Sequence, residues 1–157
     1  MYNLKRNNYQ LKPKSSNIQT PLEVSEFIFE LLRDKIKGGF ILDPCCGQGS
    51  LLAPWKTSRY YETLGIDKDK NSTADLQGDF FGAINLQYWI NVGRLKTPQL
   101  VLCNPPFNDY APKLGSEVWL DKIIELFGKD IPIVLFVPKG FRLNSKKNGL
   151  RWNKFIN

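Results

Sequence analysis

The chain has 157 residues, enough to bury the core of one domain, and a formal net charge of +7, which suits an anionic partner. It contains no histidine, which excludes a His-dependent triad and a His-containing zinc site; its three cysteines, two of them adjacent at Cys45 and Cys46, make a poor disulfide framework and hold no metal unaided. No apolar run is long enough to span a bilayer and no signal peptide opens the chain, so a soluble cytoplasmic protein without a membrane partner is expected.

Residues 1–17 are polar and basic, with Lys5, Arg6, Lys12 and Lys14, and read as a basic arm or loop ahead of one folded domain over residues 18–157. Thr20-Pro21-Leu22-Glu23 is a helix start: Thr20 as N-cap, Pro21 at the first helical position and Glu23 closing a capping box. Val24, Phe27, Ile28, Leu31, Leu32 and Ile36 follow at helical spacing, and Gly38-Gly39 stops the pattern, so a helix is predicted from Pro21 to Lys37. Phe40 to Asp43 is a short buried strand running into Pro44-Cys45-Cys46-Gly47-Gln48-Gly49, after which Ser50-Leu51-Leu52 opens a helix that Pro54 limits.

A strand, a glycine-bearing loop and a helix start form a nucleotide-binding arrangement, because glycines let a ligand reach the backbone and the helix start offers free N–H groups. The loop is neither a phosphate loop nor a full Gly-x-Gly-x-x-Gly. It lacks a lysine and keeps Asp43 at the strand end, which suits a ligand carrying an ammonium. Tyr61 to Ile66 is a second strand, ending at Asp67-Lys68-Asp69; an acid there, about 20 residues past the glycine loop, accepts from ribose hydroxyls. Asn71 to Gln77 reads as a short helix and a third strand. Gly78-Asp79-Phe80-Phe81 again sets an acid after a turn, suited to a nucleoside amine, with one phenylalanine against the ring and the other in the core. Leu86 to Leu95 is a short helix carrying Trp89 and Ile90.

The apolar run Gln99 to Cys103 stops at Asn104-Pro105-Pro106-Phe107. Two prolines cannot continue a strand ladder, and the first pushes Asn104 out of the α region, leaving a stiff turn at a strand's carboxyl end. The turn offers an amide, a carbonyl and an aromatic face, a set able to hold a planar group that carries an amine. A loop with Pro112 follows. Ser116 then caps a helix with Trp119, Leu120, Ile123, Ile124 and Phe127 on one buried face, closed by Gly128. Ile131 to Val137 is almost entirely apolar and reads as a central strand ended by Pro138-Lys139-Gly140; beyond it lies the basic end with Arg142, Lys146, Lys147, Arg151 and Lys154. Continuously apolar strands alternating with helices predict an α/β fold with a parallel sheet.

Taken in order, Asp43 to Gly49, Asp67, Asp79 and Asn104 to Phe107 resemble the S-adenosylmethionine-dependent amino-group DNA methyltransferases of the adenine-N6 type. Thr20-Pro21, lying before the glycine loop, is similar to the extra cofactor motif of the subgroup whose cofactor region precedes the catalytic one. The resemblance covers about residues 17 to 142. It implies a Rossmann-like methyltransferase fold, a mostly parallel sheet and a shortened C-terminal part, with no separate target-recognition domain visible.

The resemblance also implies residue roles. Asp43, Pro44, Cys45, Gly47 and Gly49 would line the methionine part of S-adenosylmethionine, with Thr20 and Pro21 touching the same end. Asp67, with Lys68 beside it, would take the ribose. Asp79 would accept from the cofactor adenine, Phe80 alongside. Asn104 and Pro105, stiffened by Pro106, would hold the target amine next to the cofactor, and Phe107 would stack on a base flipped out of DNA. The product would be S-adenosylhomocysteine. Methyltransferases of RNA bases or of a protein glutamine share the Asn-Pro-Pro-aromatic motif, and Phe107 in place of tyrosine inclines the reading toward nucleic acid. A non-catalytic partner subunit is a further alternative, and a partner subunit or oligomer would supply the missing base recognition.

Overall fold

A computed structural model of the protein describes residues 19–82, 85–107 and 115–138. The basic arm, the Pro112 loop, Lys139-Gly140 and the basic residues from Arg142 to Lys154 lie outside the described residues.

Among the described residues five strands form one parallel sheet: β1 Gly39–Asp43, β2 Tyr61–Asp67, β3 Leu76–Gln77, β4 Leu100–Cys103 and β5 Ile133–Leu135, in the order β3-β2-β1-β4-β5. Four helices among the described residues accompany it: α1 Leu22–Leu32, α2 Ala53–Lys56, α3 Leu86–Asn91 and α4 Gly115–Phe127. The strands' period of two sorts their side chains onto two faces. Ile41, Leu100 and Leu102 pack toward Ile28 of α1 and Trp55 of α2, whereas Phe40, Leu42, Val101 and Cys103 pack toward Leu86 of α3 and Trp119 and Ile123 of α4. Helices therefore cover both faces, which is why the central strands are apolar without alternation. The expected Rossmann-like architecture is the one observed.

The chain runs outward through β1, β2 and β3, then returns to place β4 on the other side of β1. Ile41 pairs with Leu100 and Leu42 with Val101, so β1 and β4 finish within one residue of each other. This reversal of strand order opens a crevice at the carboxyl ends, where sheets of this kind bind ligands.

Several local expectations are corrected. Helix α1 ends at Leu32, and a turn carries the chain on to the buried Ile36. Its N-cap position is Pro21, whose ring offers the helix no acceptor, and the Thr20 hydroxyl accepts from Asn104 Nδ2 instead. Only one flank of the predicted stripe is inside: Ile28 is buried, while Phe27 and Leu31 are 66% and 54% exposed. Pro54 belongs to the first turn of α2 rather than its end, a place where a missing N–H costs nothing. Asn71 to Asp75 forms turns, not a helix. Ser116 lies inside α4, where its hydroxyl donates to the Phe136 carbonyl at 3.4 Å. Strand β5, predicted to be central, is the edge of the described sheet and is only half-buried.

The exposure of Phe27 makes a test of this correction. Phe27→Ser is expected to change unfolding free energy by no more than about 0.5 kcal/mol, while Ile28→Ala costs about 2–5 kcal/mol. Urea denaturation of the two variants checks it; an equal loss at both sites would place Phe27 in the core.

Candidate functional site

The crevice is a cavity of about 500 Å³, within the range of small-molecule sites. Its rim is built from loops that leave three adjacent parallel strands. After β1, the chain turns through Pro44 to Gly49, with Gly47 and Gly49 at φ 52° and 76°, a backbone region that side-chain-bearing residues rarely enter. Other parts of the rim hold this loop in place. The Gly47 N–H donates to Asp67 Oδ2 at 2.7 Å, the Gly47 carbonyl accepts from the Thr73 N–H at 3.0 Å, and the Cys46 N–H donates to the Ile66 carbonyl at 2.9 Å. Asp67 Oδ1 accepts from the Asp69 N–H at 2.8 Å, and each carboxylate oxygen has a second lone pair to offer.

Asp43 is 1% exposed and lines the cavity. Burial pushes its carboxyl up from 3.8 to about 7; the Cys45 N–H, donating to Oδ1 at 3.1 Å, opposes the rise, and the charge of Asp67 adds to it. The cysteines close behind it are protonated thiols. Burial holds those of Cys45 and Cys103 above their ordinary range and pushes Cys46 up to about 12. The Cys45 and Cys103 sulfurs are 3.6 Å apart. A thiol that stays protonated is a poor nucleophile and a poor metal ligand, so these three pack the site rather than react in it.

On the far side, Asp79 Oδ1 accepts from the Phe81 N–H at 3.0 Å, a turn that fixes the carboxylate at the cavity lining. Phe80 is buried and stacks on Trp119 of α4 with an interplanar angle of 4° and ring centroids 5.4 Å apart, while Phe81 meets Trp119 edge-on. Phe80 therefore serves both as core and as cavity wall.

Of the residues singled out from the sequence, Thr20, Asp43, Pro44, Cys45, Gly47, Asp67, Lys68, Asp79, Phe80, Asn104 and Pro106 all line this one cavity. Pro21, Gly49, Pro105 and Phe107 stand outside the lining. Pro21 opens α1, Gly49 turns the loop beneath, Pro105 is buried and Phe107 is half-buried. Gln19, Trp119 and Gly115 were not anticipated. Gln19 lies over the glycine loop, its Oε1 accepting from the Gln48 N–H at 3.2 Å. Gly115 donates its N–H to the Phe107 carbonyl at 3.3 Å, and a Cβ at that position would collide with the Pro106 carbonyl. The start of α4 thus rests directly on the Asn-Pro-Pro-Phe turn, a contact that only the absence of a side chain permits.

The lining combines acids at the ends of β1 and β2 and just after β3 with an aromatic wall and a turn that carries an amide. Such a set fits a nucleoside joined to an ammonium-bearing tail: carboxylates for the ammonium, ribose and base amine, and apolar rings for the base. Residues 2–78 match the family model described as N-6 DNA Methylase. No curated protein matches the chain. Among the described residues no helix is long and apolar enough to cross a membrane.

The state of Asp43 yields a pH prediction. Its folded pKa lies above its unfolded value, so its contribution to stability is fully present below about 3.8 and is lost as pH rises through about 7, amounting to at most about 4 kcal/mol. With no histidine in the chain, little else of this kind titrates near neutrality. The melting temperature of the wild type is expected to fall relative to that of Asp43→Asn as pH rises from about 4 to about 7, with the difference level above about pH 8. Parallel curves for the two proteins would show that Asp43 is ionised throughout.

Proposed function

We propose that this chain, whose residues 2–78 match the N-6 DNA Methylase family model, transfers a methyl group from S-adenosylmethionine to the exocyclic N6 amine of adenine in DNA. The observation that carries the reading is the convergence of Asp43, Asp67, Asp79 and Asn104 on one cavity from three adjacent strand ends and the turn after β3. In this reading Asp43 meets the cofactor's ammonium, Asp67 and Lys68 the ribose edge, and Asp79 with Phe80 the adenine. Pro44, Cys45 and Gly47 give the methionine tail a backbone surface, on a loop that Gly49 turns from beneath. When bound, S-adenosylmethionine supplies a methyl group already activated by a sulfonium centre.

What remains for the chain is placement and electron density. Asn104 Oδ1 and the Pro105 carbonyl accept from the two hydrogens of the target amine, which draws its lone pair toward the methyl donor. Pro105 and Pro106 keep that turn from flexing, and Gly115 braces it from behind. Phe107 provides a face on which a flipped base stacks. The amine's proton passes to water, since the chain has no histidine and the nearby thiols are already protonated. A net charge of +7 supports a polyanionic substrate, whose binding would weaken as salt rises.

Labelled S-adenosylmethionine offered with DNA, RNA and protein pools tests the reading. Label is expected in DNA adenine. Asn104→Ala should lower turnover by orders of magnitude with cofactor affinity near that of the wild type. Phe107→Ala should lose about 1–3 kcal/mol of productive base binding while keeping its melting temperature. Label in RNA or glutamine instead of DNA, or an Asn104→Ala enzyme of undiminished turnover, would overturn the assignment.

A further inference from the structure

Among the described residues, two buried side-chain polar atoms have no hydrogen-bond partner: Nε1 of Trp55 and Nε1 of Trp119. They differ in place. Trp55 lies in the core that α1 covers, perpendicular to the rings of Phe29 and Tyr61, and lines no part of the crevice. Trp119 is 6% exposed and lines the crevice beside Phe80. An indole nitrogen donates only, and folded proteins seldom leave a buried donor without an acceptor. Parallel rings in contact lie about 3.5–4 Å apart, so the 5.4 Å between the Phe80 and Trp119 centroids slides the indole sideways by roughly 4 Å. The indole therefore extends past the phenyl ring instead of hiding behind it.

The chemistry of the wall narrows what could meet this donor. Gly78, Asp79, Phe80 and Trp119 line the crevice at this end. Glycine and phenylalanine bring no polar side chain, a carboxylate accepts, and the indole donates. Adenine has the complementary edge: an amine that donates, flanked on each side by a ring nitrogen that accepts. We infer that the Trp119 N–H is the donor for one of the two ring nitrogens flanking the amine of the cofactor's adenine, the amine itself going to Asp79; the inference rests on the function proposed above. Nε1 is sealed from solvent in the open crevice, so the bond forms as the indole tilts toward the seated base. A small turn about its Cβ–Cγ bond suffices, and that torsion is broad in tryptophan. A base that supplies the acceptor relieves a cost that the empty site carries. Trp119 then reads the base as well as walling it.

Calorimetry and a nitrogen-proton correlation spectrum of the indole groups test this, with S-adenosylhomocysteine and with its analogues that carry C–H in place of N1 or of N7. The Trp119 signal is identified by its loss in Trp119→Phe or, if that variant does not fold, by its contact with the Phe80 ring. It is expected to move downfield when S-adenosylhomocysteine binds and to hold its place with one of the two analogues, while the Trp55 signal stays still throughout. The wild type should bind that same analogue about 3- to 10-fold more weakly than S-adenosylhomocysteine, and Trp119→Phe should lose a similar factor for S-adenosylhomocysteine and no longer tell the two ligands apart. Equal shifts with all three ligands, or a folded Trp119→Phe that discriminates as the wild type does, would overturn the inference. Absence of any S-adenosylhomocysteine binding sinks the cofactor reading of the site and this inference with it. Binding that leaves the Trp119 signal unmoved sinks this inference alone.

Discussion

The parallel pairing of β1 with β2 on one side and β4 on the other is the constraint on which the rest of this structure depends. Parallel strands finish at the same level, so whatever follows each of them gathers along one rim. Asp43 pairs with Gly65 and lies beside the end of β4, so three stretches distant in sequence reach a common crevice, where bonds such as that from the Gly47 N–H to Asp67 then tie them together. The apolar interiors of β1 and β4, with Ile41, Leu42, Leu100, Val101, Leu102 and Cys103 all fully buried, supply the driving force for this register. The polar turns are carried to the rim as a consequence.

Gathering acids at a rim has an electrostatic cost that the fold meets unevenly. Asp67 is held by two backbone N–H groups and Asp79 by one. Asp43 has one such bond and far deeper burial, and its proton stays on until about neutral pH. The asymmetry matches the division of roles in the proposed site. A carboxyl that is costly to ionise when the cavity holds only water becomes favourable to ionise beside a cation, so a cationic ligand and the Asp43 charge stabilise each other.

Much of this arrangement is legible in the sequence because its elements are local. A buried strand ending in an acid, a loop rich in glycine, and a proline pair after an apolar run each announce themselves within a few residues, and β1, β2 and β4 fall where those signals place them. The misreadings share a different cause. Thr20 and Ser116 look like helix caps because a hydroxyl before a helix most often bonds to the helix itself, yet both hydroxyls serve longer-range partners, Asn104 and Phe136. The stripe of α1 was read too wide: Phe27, Ile28 and Leu31 all fit a helical period, and only the packing against Trp55 and the sheet separates Ile28 from its neighbours. The apolar run around β5 signals a buried strand in general but carries no information on its place in the strand order. Gln19 and Gly115 carry no local mark in the sequence, and Trp119 is legible there as a buried helix residue but not as cavity wall; each acquires its place at the site from a residue that only the fold brings near.

The central claim is that one ligand spans this crevice, with its base at Asp79 and Phe80, its ribose at Asp67, its ammonium at Asp43 and its sulfur facing Asn104. A crystal structure of the protein with S-adenosylhomocysteine measures this directly. The account predicts continuous ligand density along the carboxyl rim of β2, β1 and β4 in that orientation, the sulfur directed at the Asn-Pro-Pro-Phe turn. Density in the reverse orientation, or an empty crevice at saturating ligand, would contradict it.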